Sequence, residues 1–444
     1  MPKETKPPRV PFGAKQGGET EARWAWVEPA VWTTRMLAAL DNGVKGGRWF
    51  SLLDKVYAPA NLAAAWKRVR SNRGAAGVDN QSVERFELHA TEYLEELHRE
   101  LREGSYRPSA VRRQWIPKPG TKQKRPLGIP TVRDRIVQSA LRNVLEPIWE
   151  AKFAGQSYGF RPGRSCKDAL RRVEQLLRAG HTWAVDVDIQ SYYDSIDHCQ
   201  MLDEVAKEVA DGKVLGLVAK LLEQPVMEEA AKWTPEEGIP QGSTIGPLLA
   251  NIYLHPVDEA MVHDGYEITR YADDIVILCR TEREARTALN RLQEEMARRK
   301  LTLHPEKTKV VDTMQPGGFD FLGYHFERDE KWPRKKSLEK FKDNVRGLTR
   351  RNNGHSIEAI IVSLNRVVNG WFEYFKHSHV WTFERLDVWI RMRLRSILRR
   401  RAKGRGAGRG WSNIRWPNAY FAKLGLFTMT TARATARQSL RGAH

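Results

Sequence analysis

Residues 266–279 read YEITRYADDIVILC. The segments "YEITR" and "DIVILC" flank a junction at Ala272 and Asp273, a pattern that predicts two short strands joined through a tight tip. That tip carries two adjacent carboxylates, Asp273 and Asp274. Like charges side by side between apolar strands repel, and something must offset them.

Upstream, residues 181–189, HTWAVDVDI, alternate as a half-buried strand does and place Asp188 at its end. Strand pairing would bring Asp188, Asp273 and Asp274 together as a hard, oxygen-rich site of the kind Mg²⁺ occupies, and the cation would cancel the repulsion. Two such ions, roughly 3.5 to 4 Å apart, can activate a 3′ hydroxyl and stabilise a leaving pyrophosphate.

The charge balance points to a polyanionic partner. The net charge is +20, and residues 331–444 hold 26 Lys/Arg against 6 Asp/Glu, whereas residues 1–330 hold 48 of each. A long phosphate polymer rewards such polarity, because each neutralised phosphate releases condensed counterions. Cys166, Cys199 and Cys279 are widely spaced, which argues against a disulfide framework or a Cys-rich zinc module and makes a reducing, intracellular home the default. No run approaches the roughly 18 to 20 apolar residues of a membrane helix, and the N-terminus lacks the apolar centre of a secretory signal.

Helical and strand-like segments alternate as far as about residue 330, an α+β pattern, and helices follow. Within residues 1–50, an N-terminal extension, the stretch WVEPAVWTTRMLAALDNGVKGG suggests one amphipathic helix closed by glycine. Residues 106–130 read as an exposed basic hairpin or loop, and FDFLGYHF at 319–326 as a last strand. The Gly/Arg stretch AKGRGAGRG suggests a linker before the C-terminal piece.

The acids keep ordered company: RPLGIP at 125–130, YGFRPGRS at 158–165, DVDIQSYYDSIDH at 186–198, GIPQGSTIGPLLANIYL at 238–254 and LHPEKTKV at 303–310. From about Leu52 to Trp389 this series closely resembles the reverse transcriptases encoded by group II introns, which also act as maturases. The resemblance implies a right hand: fingers and palm over 51–330, a helical thumb and maturase domain over 331–403, and a basic DNA-binding region over 404–444. It implies an RNA-directed DNA polymerase using two Mg²⁺ ions, with Mn²⁺ able to substitute, in a bacterial cytoplasm near the nucleoid. Its partners would be group II intron RNA, an RNA template with a DNA primer, dNTPs and target DNA. The Cys/His-rich nuclease module of many members is not seen here, so second-strand cutting is not expected of this chain.

Carried over by position, Asp188, Asp273 and Asp274 are the catalytic metal ligands, with Asp186 and Asp194 as alternatives. Asp188 is favoured because two aromatics, Tyr192 and Tyr193, stand four and five residues beyond it, where the family usually has Phe. Tyr193 would sit under the incoming sugar and exclude a 2′-hydroxyl, or else pack in the palm core. Gln241 and Gly242 would let the backbone approach the nucleotide, and Gly246 stands where Ser is usual. Lys118 and Arg125 would hold the triphosphate, with Lys122 or Lys124 able to replace Lys118. Lys307 resembles the residue that neutralises departing pyrophosphate.

In the thumb, Trp371, Phe372, Tyr374 and Phe375 read mostly as helix packing. Arg391, Arg393, Arg395, Arg399, Arg400 and Arg401 outnumber nearby acids and suggest a phosphate-tracking helix. Two other readings stay open: a host reverse transcriptase independent of any intron, in repair or phage defence, and a splicing maturase on a silent polymerase.

Overall fold

The computed structural model describes residues 22–44, 46–117, 124–328, 330–406 and 409–441, with side chains as far as residue 435. In chain order its strands are β1 (Val111–Pro117), β2 (Lys124–Ile129), β3 (Trp183–Val187), β4 (Val226–Glu228), β5 (Ala231–Trp233), β6 (Glu267–Tyr271), β7 (Asp274–Cys279), β8 (Lys309–Asp312), β9 (Phe319–Phe321), β10 (Tyr324–Glu327) and β11 (Glu330–Pro333). They form sheets ordered β2-β1-β4-β5, β6-β7-β3-β8 and β11-β10-β9. The architecture is the α+β right hand of fingers and palm, with a helical thumb. Among the described residues no helix is long and apolar enough to cross a membrane.

The palm sheet is buried on both faces, which explains the unbroken apolar run of β7. Period-two alternation divides its residues between two cores. Val185, Val187, Ile275 and Ile277 face the main core, while Ala184, Val276 and Leu278 pack with Phe319, Phe321, Tyr324 and Phe326 of the third sheet. The helix Val132–Glu150 is buried almost all round and joins fingers to palm; Thr131 caps it by accepting from the Asp134 amide at 3.1 Å.

Two expected boundaries do not separate cores. Trp24, Val27, Val31 and Trp32 belong to the main core, and the Trp32 indole donates to the Asn143 carbonyl at 2.9 Å, so the extension is bound to the fingers. Its helix runs Thr34–Asn42 and ends at Gly43, whose φ is +82°. At the other end, Phe421, Leu426 and Met429 share one core with the thumb helices Lys335–Leu348, Ile357–Phe375 and Val380–Arg401. Asp387 seals the join by accepting from the amides of Met429 and Thr430. Apolar residues scattered among so many arginines hid this packing.

The expected single strand FDFLGYHF is instead the hairpin β9–β10. It reverses at Leu322 and Gly323, whose φ values are +46° and +85°. The buried positions switch from odd (Phe319, Phe321) to even (Tyr324, Phe326) across the turn, so the shift in phase and the glycine were the two cues. The small hairpin β4–β5 extends the fingers sheet, and the sequence reading had no strand there.

Candidate active site

The β6–β7 hairpin pairs Tyr271 with Asp274, leaving Ala272 and Asp273 as its two-residue tip. Ala272 adopts φ +58°, the left-handed first position such hairpins require. β3 pairs Val187 with Ile275, so Asp188, the next residue, emerges beside Asp274. The residues expected to act together do share one cavity.

That cavity is a cleft of about 990 Å³ between fingers and palm, lined by Asp188, Asp273 and Asp274 together with Arg125, Tyr193, Gln241, Gly242 and Lys307. Lys124 lines it as well, while Lys118 and Lys122 lie outside the described residues. Tyr192 is core, its hydroxyl donating to the Ala250 carbonyl, whereas Tyr193 is half-buried and meets the cleft. Burial and, next, the charge of Asp273 push the Tyr193 phenol up to about 12, so it stays neutral.

Gly242 has a reason beyond access for a nucleotide. Its φ is +112°, and a Cβ there would stand 2.3 Å from the Gly128 carbonyl oxygen. The Gly128 amide donates to the Gln241 carbonyl at 2.6 Å, so this pair of glycines lets the loop zip onto β2 of the fingers. The buried Gln138 accepts from the Thr244 amide at 2.7 Å and fixes the loop's far side.

Asp273 and Asp274 open onto the cleft yet are ringed by protein. Burial and then neighbouring carboxylates raise both, Asp274 to about 6. Asp186, behind them, rises to about 7 through burial, with Asp320, Asp274 and Asp188 adding to the effect and Lys309 opposing it. Such acids are short of positive charge.

An all-oxygen donor set of this kind fits Mg²⁺. Among the described residues, however, no three His, Cys, Asp or Glu side chains draw together as a ready cage. Asp188 leans on Lys307 instead, with Nζ 3.2 and 3.3 Å from its two oxygens. The three acids share the cleft without closing into the cluster expected.

Several participants escaped the sequence reading. Arg270, 1% exposed, lies under the hairpin and binds Asp258, Asn251 and the Ala272 carbonyl. The strap 156–160 runs beside it: Tyr158 donates to the Arg270 carbonyl, the Asn251 amide side chain donates to the Gly159 carbonyl, and a Cβ on Gly159 would meet the Ala272 nitrogen at 2.2 Å. Polar residues at 251, 255 and 258, spaced along one face of an apolar helix, were the available signal. Phe160 and Leu322 also line the cleft.

The thumb arginines do not form one phosphate-tracking face. Arg395 is buried; it donates to the Trp416 carbonyl at 2.9 Å and the Asn418 side chain at 2.7 Å, and it lies over the Phe421 ring. Arg393 donates to the hydroxyl and carbonyl of Thr349, and Arg401 to the carbonyls of Asn353 and His355. Carbonyl oxygens satisfy guanidinium groups as acids do, and counting acids alone overlooked them. Arg400 is exposed, and Arg391 and Arg399 are partly so.

The reverse transcriptase (RNA-dependent DNA polymerase) family matches residues 116–326, and the group II intron maturase-specific domain matches residues 338–416. Protein YkfC of Escherichia coli K12 is 31% identical over 352 residues, which cover 69% of this chain and 86% of that protein. The chain belongs to the group II intron reverse transcriptase and maturase family. The group II intron-encoded protein LtrA of Lactococcus lactis subsp. cremoris is 34% identical over 249 residues, 56% of this chain but 40% of LtrA. RNA-directed DNA polymerase is thus the enzyme class of this member. The cleft lies within the polymerase match and the arginine-rich helix within the maturase match.

Proposed function

We propose that the cleft adds dNTPs to a primer 3′ hydroxyl on an RNA template, and that the thumb and C-terminal region hold group II intron RNA during splicing and target DNA during intron mobility. The observation that carries the polymerase reading is the meeting of Asp188, Asp273, Asp274, Arg125, Tyr193 and Gln241 in one cleft. Asp188, Asp273 and Asp274 are the residues that would hold Mg²⁺, which when bound supplies charge stabilisation for in-line phosphoryl transfer.

The chain's own groups supply the rest. Arg125, the second residue of β2 and part of the cleft lining, offers a forked donor to triphosphate oxygens. Tyr193 fills the space a 2′-hydroxyl would need. Lys307 neutralises Asp188 at rest and is free to follow phosphate charge when that carboxylate gains another partner.

Primer extension on an RNA template tests this. The intact protein should extend with dNTPs and reject rNTPs, and Tyr193→Val should admit rNTPs by roughly 10- to 100-fold more, the scale of one steric group. If the intact protein binds intron RNA but extends nothing, the polymerase reading fails.

A further inference from the structure

The YADD tip is held from beneath by a polar cluster almost wholly removed from solvent. Arg270, Asp258 and Asn251 are 1%, 0% and 2% exposed. The Arg270 Nε donates to both Asp258 oxygens at 2.8 and 3.0 Å, and one terminal nitrogen donates to Asn251 Oδ1 at 2.9 Å and to the Ala272 carbonyl at 3.0 Å. Asn251 reaches on to the Gly159 carbonyl at 2.8 Å. The main chain of Arg270 is itself clasped, its amide by the Gln156 carbonyl and its carbonyl by the Tyr158 amide.

Stability alone is a weak reason for this arrangement. Replacing a buried ion pair with apolar residues of similar volume is often neutral or stabilising. What the guanidinium does that a methionine cannot is bind the carbonyl of Ala272, an L-residue at φ +58° that carries Asp273 as its neighbour. That conformation persists only where its surroundings over-determine it. Arg270 reaches the tip's backbone from outside the hairpin turn through this hydrogen bond to the Ala272 carbonyl.

We propose that Arg270, held by Asp258 and Asn251, is a positioning residue that locks the hairpin tip so that Asp273 presents its carboxylate to the cation and the reacting phosphate. Arg270 touches neither substrate nor cation; it acts through the Ala272 peptide. The proposal rests on the polymerase reading above.

The test is the paired substitution Arg270→Met with Asp258→Leu, which removes both charges together. The folded double variant should lose roughly 100-fold in kcat, the cost of a small misplacement, with little change in the KM for dNTP. Without nucleic acid, Mn²⁺ binding followed by electron paramagnetic resonance should weaken by about 10- to 100-fold. Hydrogen exchange over residues 271–274 should quicken. A mere structural role would move none of these at matched stability. The control is the same double swap at Arg299 and Glu204, a partly buried pair on other elements than the hairpin, which should leave all three readouts unchanged.

Wild-type kcat, Mn²⁺ affinity and exchange in the folded double variant overturn the proposal. Should that variant not fold, Asn251→Ala, which leaves the ion pair intact, should shift the same readouts in the same direction by about tenfold, and no shift overturns it. Mn²⁺ binding and exchange read the clamp without polymerisation. A wild-type protein that extends no primer would therefore sink the polymerase reading while leaving these two measurements to decide the clamp.

Discussion

Palm and thumb both bury arginine, to opposite ends. In the palm, Arg270 is fully enclosed and paired with an acid, and one of its hydrogen bonds reaches the backbone of the hairpin tip beside Asp273. In the thumb, buried Arg395, half-buried Arg393 and exposed Arg401 bind carbonyls, a hydroxyl and a side-chain amide at helix ends, and so tie one element to the next. A sequence rich in arginine therefore says little about where nucleic acid binds until the carbonyl partners are known.

The largest expected difference between the regions is in chemistry. Asp273→Asn should lower DNA synthesis by at least roughly 1,000-fold, which is about 4 kcal/mol of transition-state stabilisation. Filter binding of intron RNA should stay within about twofold if, as proposed, the thumb and C-terminal region hold the phosphates. A large loss of RNA affinity in that variant would break the division of labour between palm and thumb.

Within the thumb, two arginines near one another in sequence should behave differently. Arg395→Ala leaves the Trp416 carbonyl and Asn418 side chain without their donor and should cost about 2 to 4 kcal/mol in urea unfolding. Arg400→Gln, at an exposed position, should change stability by less than about 0.5 kcal/mol. It should instead lower the slope of log affinity against log salt for RNA by about 1. Equal effects on both readouts would mean that exposure does not sort these residues.

The same contrast explains what could be read from the sequence. The hairpin tip and the strand leading to Asp188 were legible because period-two patterning and turn chemistry are local signals, whereas Arg125, Tyr193 and Gln241, which also line the cleft, were expected from the family resemblance alone. The Arg270 cluster was not legible, since Asn251 and Asp258 acquire meaning only when their helix crosses the sheet. Lys307 was expected near phosphate and is found against Asp188, a contact between residues 119 positions apart. The reversal at Leu322 and the core contributed by Phe421 likewise depend on long-range packing. Local pattern located the acids; tertiary contacts decided what holds them.

The joint between the two regions offers the smallest effect. His325 on β10 meets Asp320 at 2.8 Å and Glu327 at 3.6 Å, and its ring lies 5.0 Å from that of Trp332 on β11, the strand that leads into the thumb. The hydrogen bond to Asp320 raises the His325 pKa above its usual 6.5, against the opposing effect of burial. A raised histidine pKa means that the folded state favours the imidazolium. Its contribution is therefore complete below about pH 6.5 and is lost as pH rises through the raised value. Asp320 is 46% exposed, so water screens the pair and the change should stay below about 1 kcal/mol. Unfolding of the whole chain in urea at successive pH values should show this decline, and His325→Gln should remove it. A decline that persists in the variant would assign the pH dependence to another group and leave the joint's stability independent of this ion pair.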